Sequence, residues 1–188
     1  MIEKVETIKK QKSLGEILSN KKAKYIVGTL LLSGIGIALP RVFHVLAGTS
    51  SGATFLPMHI AVLIAALVFG ATSASIVGGA SIIFSYLSAG MPTIERLPYM
   101  LIELIIYAIL LSVFNKKFNS YISLLATIIV GRVIYSAILF IAINIFELPT
   151  YGISVIQSII TGLPGIVIQL ACVPIIARVI RKGINLDD

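Results

Sequence analysis

Long apolar stretches alternate with short polar breaks along this chain, and the breaks divide it into six segments. The first covers residues 25–47, with Pro40 near its far end, and a Gly/Ser/Thr-rich loop follows at 48–54. The second covers 55–70 and is short for a spanning helix, which takes ~20 residues. The third ends near Ala89, after which Gly90-Met91-Pro92 opens a loop holding Glu95 and Arg96. The fourth covers 97–114 and closes at Asn115-Lys116-Lys117. The fifth covers 121–146 and breaks at Glu147-Leu148-Pro149. The sixth covers 151–180, interrupted at Gly162-Leu163-Pro164-Gly165 and at Pro174. Period-two alternation of apolar and polar residues, the mark of a membrane barrel, is missing. The predicted fold is therefore all-α: an integral membrane protein built as a compact bundle of six transmembrane helices.

Composition agrees with the pattern. Of 188 residues, 57% are hydrophobic and 12% charged, whereas soluble domains carry about 25% charged residues. An ordinary soluble enzyme, a disordered tail and a disulfide scaffold are excluded, the last because Cys172 is the single cysteine. Of the 15 Lys and Arg residues behind the net charge of +7, 12 sit in three places. Lys4, Lys9, Lys10, Lys12, Lys21, Lys22 and Lys24 precede the first span, Lys116 and Lys117 fill one break, and Arg178, Arg181 and Lys182 end the last. An even number of spans puts all three clusters on one side, as the positive-inside rule requires. This predicts cytoplasmic N- and C-termini in the cell membrane, with the basic residues facing lipid headgroups rather than nucleic acid. Residues 1–24 read as a cytoplasmic arm rather than a cleavable signal peptide, 25–182 as the membrane domain and 183–188 as a cytoplasmic tail.

Small residues recur at four-residue spacing, which lets helices approach closely in lipid. Ala66 and Gly70 form one such pair, and Ala71, Ser75 and Gly79 form a series; both read as packing within the bundle. On the first helix the pairs are Thr29 with Ser33 and Gly34 with Ala38, where packing inside the bundle competes with a partner subunit.

Ionisable residues within spans cost roughly 2.5–3.5 kcal/mol each on insertion scales, so each needs a partner or a use. Arg41 and His44 lie near the far end of the first helix, His59 at the start of the second, and Asn144 and Gln157 near the far ends of the fifth and sixth. Tyr99, Glu103 and Tyr107 repeat every four residues and share one helix face. Glu103 is expected either to bind a ligand or to form an ion pair with Arg41. Arg132 reads as a hydrogen-bonded clamp between helices, with ligand contact as the alternative. Arg41, His44, His59, Arg96, Tyr99, Glu103, Tyr107, Asn144 and Gln157 form the expected substrate-binding cup, with 48–54 as its lid. No HExxH, GxSxG or Walker A pattern occurs, so no catalytic or metal-binding residue is expected.

Leu39-Pro40-Arg41-Val42-Phe43-His44, Phe55-Leu56-Pro57-Met58-His59-Ile60, Gly90-Met91-Pro92, Leu97-Pro98-Tyr99-Met100 with Ile102-Glu103-Leu104-Ile105-Ile106-Tyr107, Gly131-Arg132 and the run Thr161-Gly162-Leu163-Pro164-Gly165 through Gln169 give the chain a wider likeness. Over residues 24–182 it resembles the substrate-binding S component of energy-coupling factor vitamin transporters. The resemblance implies capture of a vitamin or vitamin precursor from outside, with pantothenate the favoured substrate. It implies a transmembrane scaffold subunit and two cytoplasmic ATPases as partners, with ATP used by those ATPases and no cofactor in this chain. It also implies that Thr29 and Ser33 dock on the scaffold, where the family often carries an Ala-xxx-Ala pattern. The competing expectations are a stand-alone ion-coupled secondary transporter and an accessory membrane subunit.

Overall fold

The computed structural model describes residues 20–48, 54–94, 96–144 and 155–184, and at 47, 142–144 and 155–159 the backbone alone. Among the described residues the secondary structure is helical, with six helices: α1 (Lys21–Ala47), α2 (Pro57–Val68), α3 (Ala71–Ala89), α4 (Leu97–Phe114), α5 (Ser120–Asn144) and α6 (Val155–Gly183). Five of them, all but α2, are long and apolar enough to cross a membrane.

Local chemistry sets the helix ends. Asn20 caps α1, its side chain accepting from the Lys22 N–H at 3.0 Å. The helix thus starts before Tyr25, and Lys21, Lys22 and Lys24 belong to it rather than to the expected arm; residues 1–19 lie outside the described residues. Pro57 starts α2, where a missing N–H costs nothing. Gly90, at φ 64°, ends α3 with its N–H on the Tyr86 carbonyl at 2.8 Å. Asn119 caps the first turn of α5, accepting from the Ile122 N–H at 2.9 Å. The expected interruption of the sixth span is absent: α6 runs unbroken through Pro164 and Pro174. Each proline removes one backbone hydrogen bond, and the helix continues past both.

The arrangement follows from the shortest element. At 12 residues α2 is about 18 Å long, well under the ~30 Å hydrocarbon thickness. Every residue of α2 except Ile60 is buried, as suits a helix that is apolar all round. Helices α1, α3, α4 and α6 pack against it, and α5 bridges α4 and α6. The ring closes at one end, where Lys24 Nζ donates to the Ile184 carbonyl at 2.7 Å. Gly36 allows the α1 approach: a Cβ there would lie 2.1 Å from Ser81 Oγ and 3.4 Å from the Ala61 Cβ.

Large aliphatic side chains point outward on every long helix, among them Leu30, Leu87, Ile109, Val133 and Val179. Polar side chains point inward, among them Ser81, Ser85, Thr127, Gln169, His59 and Glu103. In water such a surface would be a continuous apolar patch of the kind monomers avoid. Facing lipid it costs nothing, and the small inward residues let the helices close up. The six helices, five of spanning length, are compatible with a membrane bundle.

Candidate functional site: a buried charged cluster on α2, α4 and α5

Glu103 is the only acidic side chain among the described residues, and it is buried. It lies six residues into α4, about 9 Å from the start of that helix. Arg132, in the middle of α5, places Nη1 3.2 Å from Glu103 Oε1. His59, on the first turn of α2, places Nε2 3.7 Å from the same oxygen. Two helices, α5 and α2, thus each bring one group to a carboxylate carried by a third.

Aromatic rings frame the cluster. The Tyr107 ring meets the His59 ring edge-on at 5.4 Å. Gly131 makes room for it, since a Cβ there would stand 3.0 Å from Tyr107 Cε1. Tyr99 and Tyr135 pack together with Leu139 as a separate cluster. On α4 the order Tyr99, Glu103, Tyr107 puts this layer one turn to one side of the carboxylate and the Tyr107 layer one turn to the other. Leu56, the residue before α2, has left-handed backbone at φ 48°. A non-glycine residue pays about 1–3 kcal/mol for that conformation. It turns the chain so that Pro57, Met58 and His59 enter the bundle buried.

The ion pair does not satisfy the cluster. Both ring nitrogens of His59, Oε1 of Glu103 and Nε of Arg132 are buried without a partner in hydrogen-bonding geometry. Buried polar atoms are nearly always hydrogen-bonded, and leaving one unmade costs about 1–3 kcal/mol. Four such atoms in one place leave donors and acceptors of both kinds open to a further polar group. A carboxylate would suit the Arg132 guanidinium, whose donors are not exhausted by Glu103; a hydroxyl or amide would suit His59 and Glu103. Thr127 Oγ1 and Gln169 Nε2 are likewise buried and without a partner.

Of the expected site, His59, Glu103 and Tyr107 come together here, with Tyr99 one turn away. Arg41 does not. It is exposed on α1 and donates to Ser88 Oγ on α3, so the expected Arg41–Glu103 pair is replaced by Arg132–Glu103. The reason is geometric, because α4 packs on α5 while no substantial contact joins α4 to α1. His44 is half-buried on α1, and none of the described contacts ties it to the cluster. Arg96 is exposed, in the residue before α4. The side chains of Asn144 and Gln157, and lid residues 49–53, lie outside the described residues. Arg132, read from the sequence first as a clamp, does join α4 to α5, yet it does so within the cluster itself. Tyr135 and Leu139 lie three and seven residues on from it, along the same side of α5.

Thr29 and Ser33 are buried, at 8% and 9% exposure, and donate to the Tyr25 and Thr29 carbonyls at 2.7 and 2.8 Å. A partner helix docked on α1 in this conformation would meet Gly34 and Ala38 instead, which are exposed. The two small-residue pairs of α1 thus face opposite ways, four residues bringing each pair back to its own side. Among the described residues no group of His, Cys, Asp and Glu is arranged to hold a metal ion.

The chain matches no family model, no curated protein and no solved structure.

Proposed function

We propose that this chain is the membrane-embedded substrate-binding subunit of an ATP-driven importer, capturing a vitamin or vitamin precursor, with pantothenate the favoured substrate. The observation that carries the reading is the buried set of polar atoms around the Glu103–Arg132 ion pair, on His59, Glu103 and Arg132, that make no hydrogen bond. A carboxylate, hydroxyls and an amide in one small molecule would match those donors and acceptors, and pantothenate has all three. The sequence motifs that resemble energy-coupling factor S components include Pro57-Met58-His59, Glu103 and Arg132, and so supply much of the cluster.

In this reading the basic end of the bundle faces the cytoplasm, with both termini there, and the chain crosses six times with α2 and its flanking residues as one passage. The cluster then lies toward the outside, at the start of α2 and α4. A transmembrane scaffold and two cytoplasmic ATPases supply the energy, and this chain binds without ATP. The test is uptake in cells expressing the chain with and without those partners. Uptake of labelled pantothenate that requires both the partners and Arg132 supports the proposal.

One observation favours a second reading. A lone buried carboxylate beside a histidine and an arginine is also the composition of a proton site in an ion-coupled carrier. Uptake by this chain alone in liposomes, driven by a proton gradient and abolished by Glu103→Gln, would favour that carrier and sink the subunit proposal.

A further inference from the structure

A second polar feature lies at the opposite end of the bundle from the start of α2. Between the start of α5 and the end of α6 is a cleft of about 220 Å³. Leu67, Pro174 and Ala177 line it and are buried, so its floor is apolar. Arg178, Arg181 and Lys182 line it from α6, and Ser120, the first residue of α5, lines it from the other side. Arg178 and Lys182 are exposed and stand four residues apart, so they rise from one face of α6.

Part of this charge has a simpler use. Arg181 and Lys182 occupy the last turn of α6, where cations complement the carbonyl end of a helix. Arg178 is a turn earlier, and Ser120 belongs to the amide end of α5, which favours an anion. Neither answers to the end of α6. The same end of the molecule carries Lys24, bonded to the Ile184 carbonyl, and Lys116 and Lys117 just before α5. At the level of the cleft, Ile175 and Val179 of α6 and Ile122 and Leu125 of α5 are exposed.

We propose that this cleft seats the phosphodiester headgroup of an anionic phospholipid. The cations of α6 and the amide end of α5 meet the phosphate, and the apolar floor meets the glycerol backbone. The exposed aliphatic residues just beyond offer the acyl chains a surface. A free phosphate would use the cations and leave the apolar floor and flanks without a role. The site needs the bundle to lie in a bilayer and is independent of which substrate, if any, the Glu103 cluster binds.

The test is native mass spectrometry of the full-length chain in detergent, titrated with dioleoylphosphatidylglycerol and, in parallel, with dioleoylphosphatidylcholine. Phosphatidylglycerol should bind in preference to phosphatidylcholine. R178Q should weaken it about fivefold and R178Q/K182Q about 25-fold, the size expected for basic residues at a membrane surface. K116Q/K117Q removes equal charge from the same end outside the cleft and should change binding less than about twofold. Helical circular dichroism and elution volume check that each variant is folded, and R178Q alone suffices should the double variant fail. Equal losses in the two double variants would mean a diffuse basic surface and overturn the site. So would equal binding of the two lipids, or displacement of phosphatidylglycerol by equimolar inorganic phosphate.

Discussion

Arg132 Nη1 lies 3.2 Å from Glu103 Oε1, so the middle of α5 is tied to α4 by an ion pair between two groups shielded from solvent. Taking each ion out of water costs several kcal/mol, and the pair recovers that only while both partners remain. The pair therefore behaves as a unit.

Removing one member should be worse than removing both. Glu103→Gln or Arg132→Gln alone is expected to destabilise the folded protein by about 3–5 kcal/mol, because each leaves an uncompensated buried charge. The double substitution should cost less than either single one. Denaturant or thermal unfolding in detergent, read as a double-mutant cycle, measures the coupling.

Arg41→Gln should be nearly silent. The side chain is exposed, and its partner Ser88 is exposed too and already donates to the Phe84 carbonyl. A stability change within about 0.5 kcal/mol is expected, and ligand affinity should stay within about twofold. A loss of binding equal to that of Arg132→Gln would return Arg41 to the site.

Gly131→Leu tests the packing that holds Tyr107 against His59. Even a Cβ at Gly131 would press on the Tyr107 ring at 3.0 Å, and overpacking of this kind costs about 1–3 kcal/mol. Ligand affinity should fall further than in Tyr107→Phe, which keeps the ring and its contact with His59. Calorimetry on the two variants side by side gives the comparison.

The two small-residue pairs of α1 should separate folding from coupling. Thr29→Trp with Ser33→Trp forces two large rings into buried positions and should lower the melting temperature. Gly34→Trp with Ala38→Trp alters exposed positions and should leave melting and ligand binding unchanged. If a partner helix docks on that face, the second pair should still abolish uptake in cells that supply the partner subunits, since close approach is lost. Full uptake would remove this face from the docking surface.

The helical architecture was legible because apolar run length and polar breaks are local properties. The ends of α4 fell where Pro98 and Asn115-Lys116-Lys117 placed them. The unbroken course of α6 was not legible: Pro164 and Pro174 are residues that normally end or kink a helix, yet α6 continues past both. Spacing on one helix put Tyr99, Glu103 and Tyr107 on a common face, and the structure keeps all three buried. Depth along the helices was a poorer guide to partners across them. Arg41 and Glu103 stand at comparable distances from the ends of their helices, but the pairing depends on which helices are neighbours, and periodicity carries no such information. The same limit hid the orientation of Thr29 and Ser33, since small residues mark a close approach without saying which helix approaches.

The most direct test of the account is isothermal calorimetry on the purified full-length protein against a panel of water-soluble vitamins, without ATP. The account predicts that one carboxylate-bearing member, pantothenate first, binds at a single site. Arg132→Gln, kept if it remains folded, should weaken that binding by at least about tenfold, the size of one charged hydrogen bond lost. Folded protein that binds nothing on the panel, or binding that Arg132→Gln and Glu103→Gln leave unchanged, would contradict it.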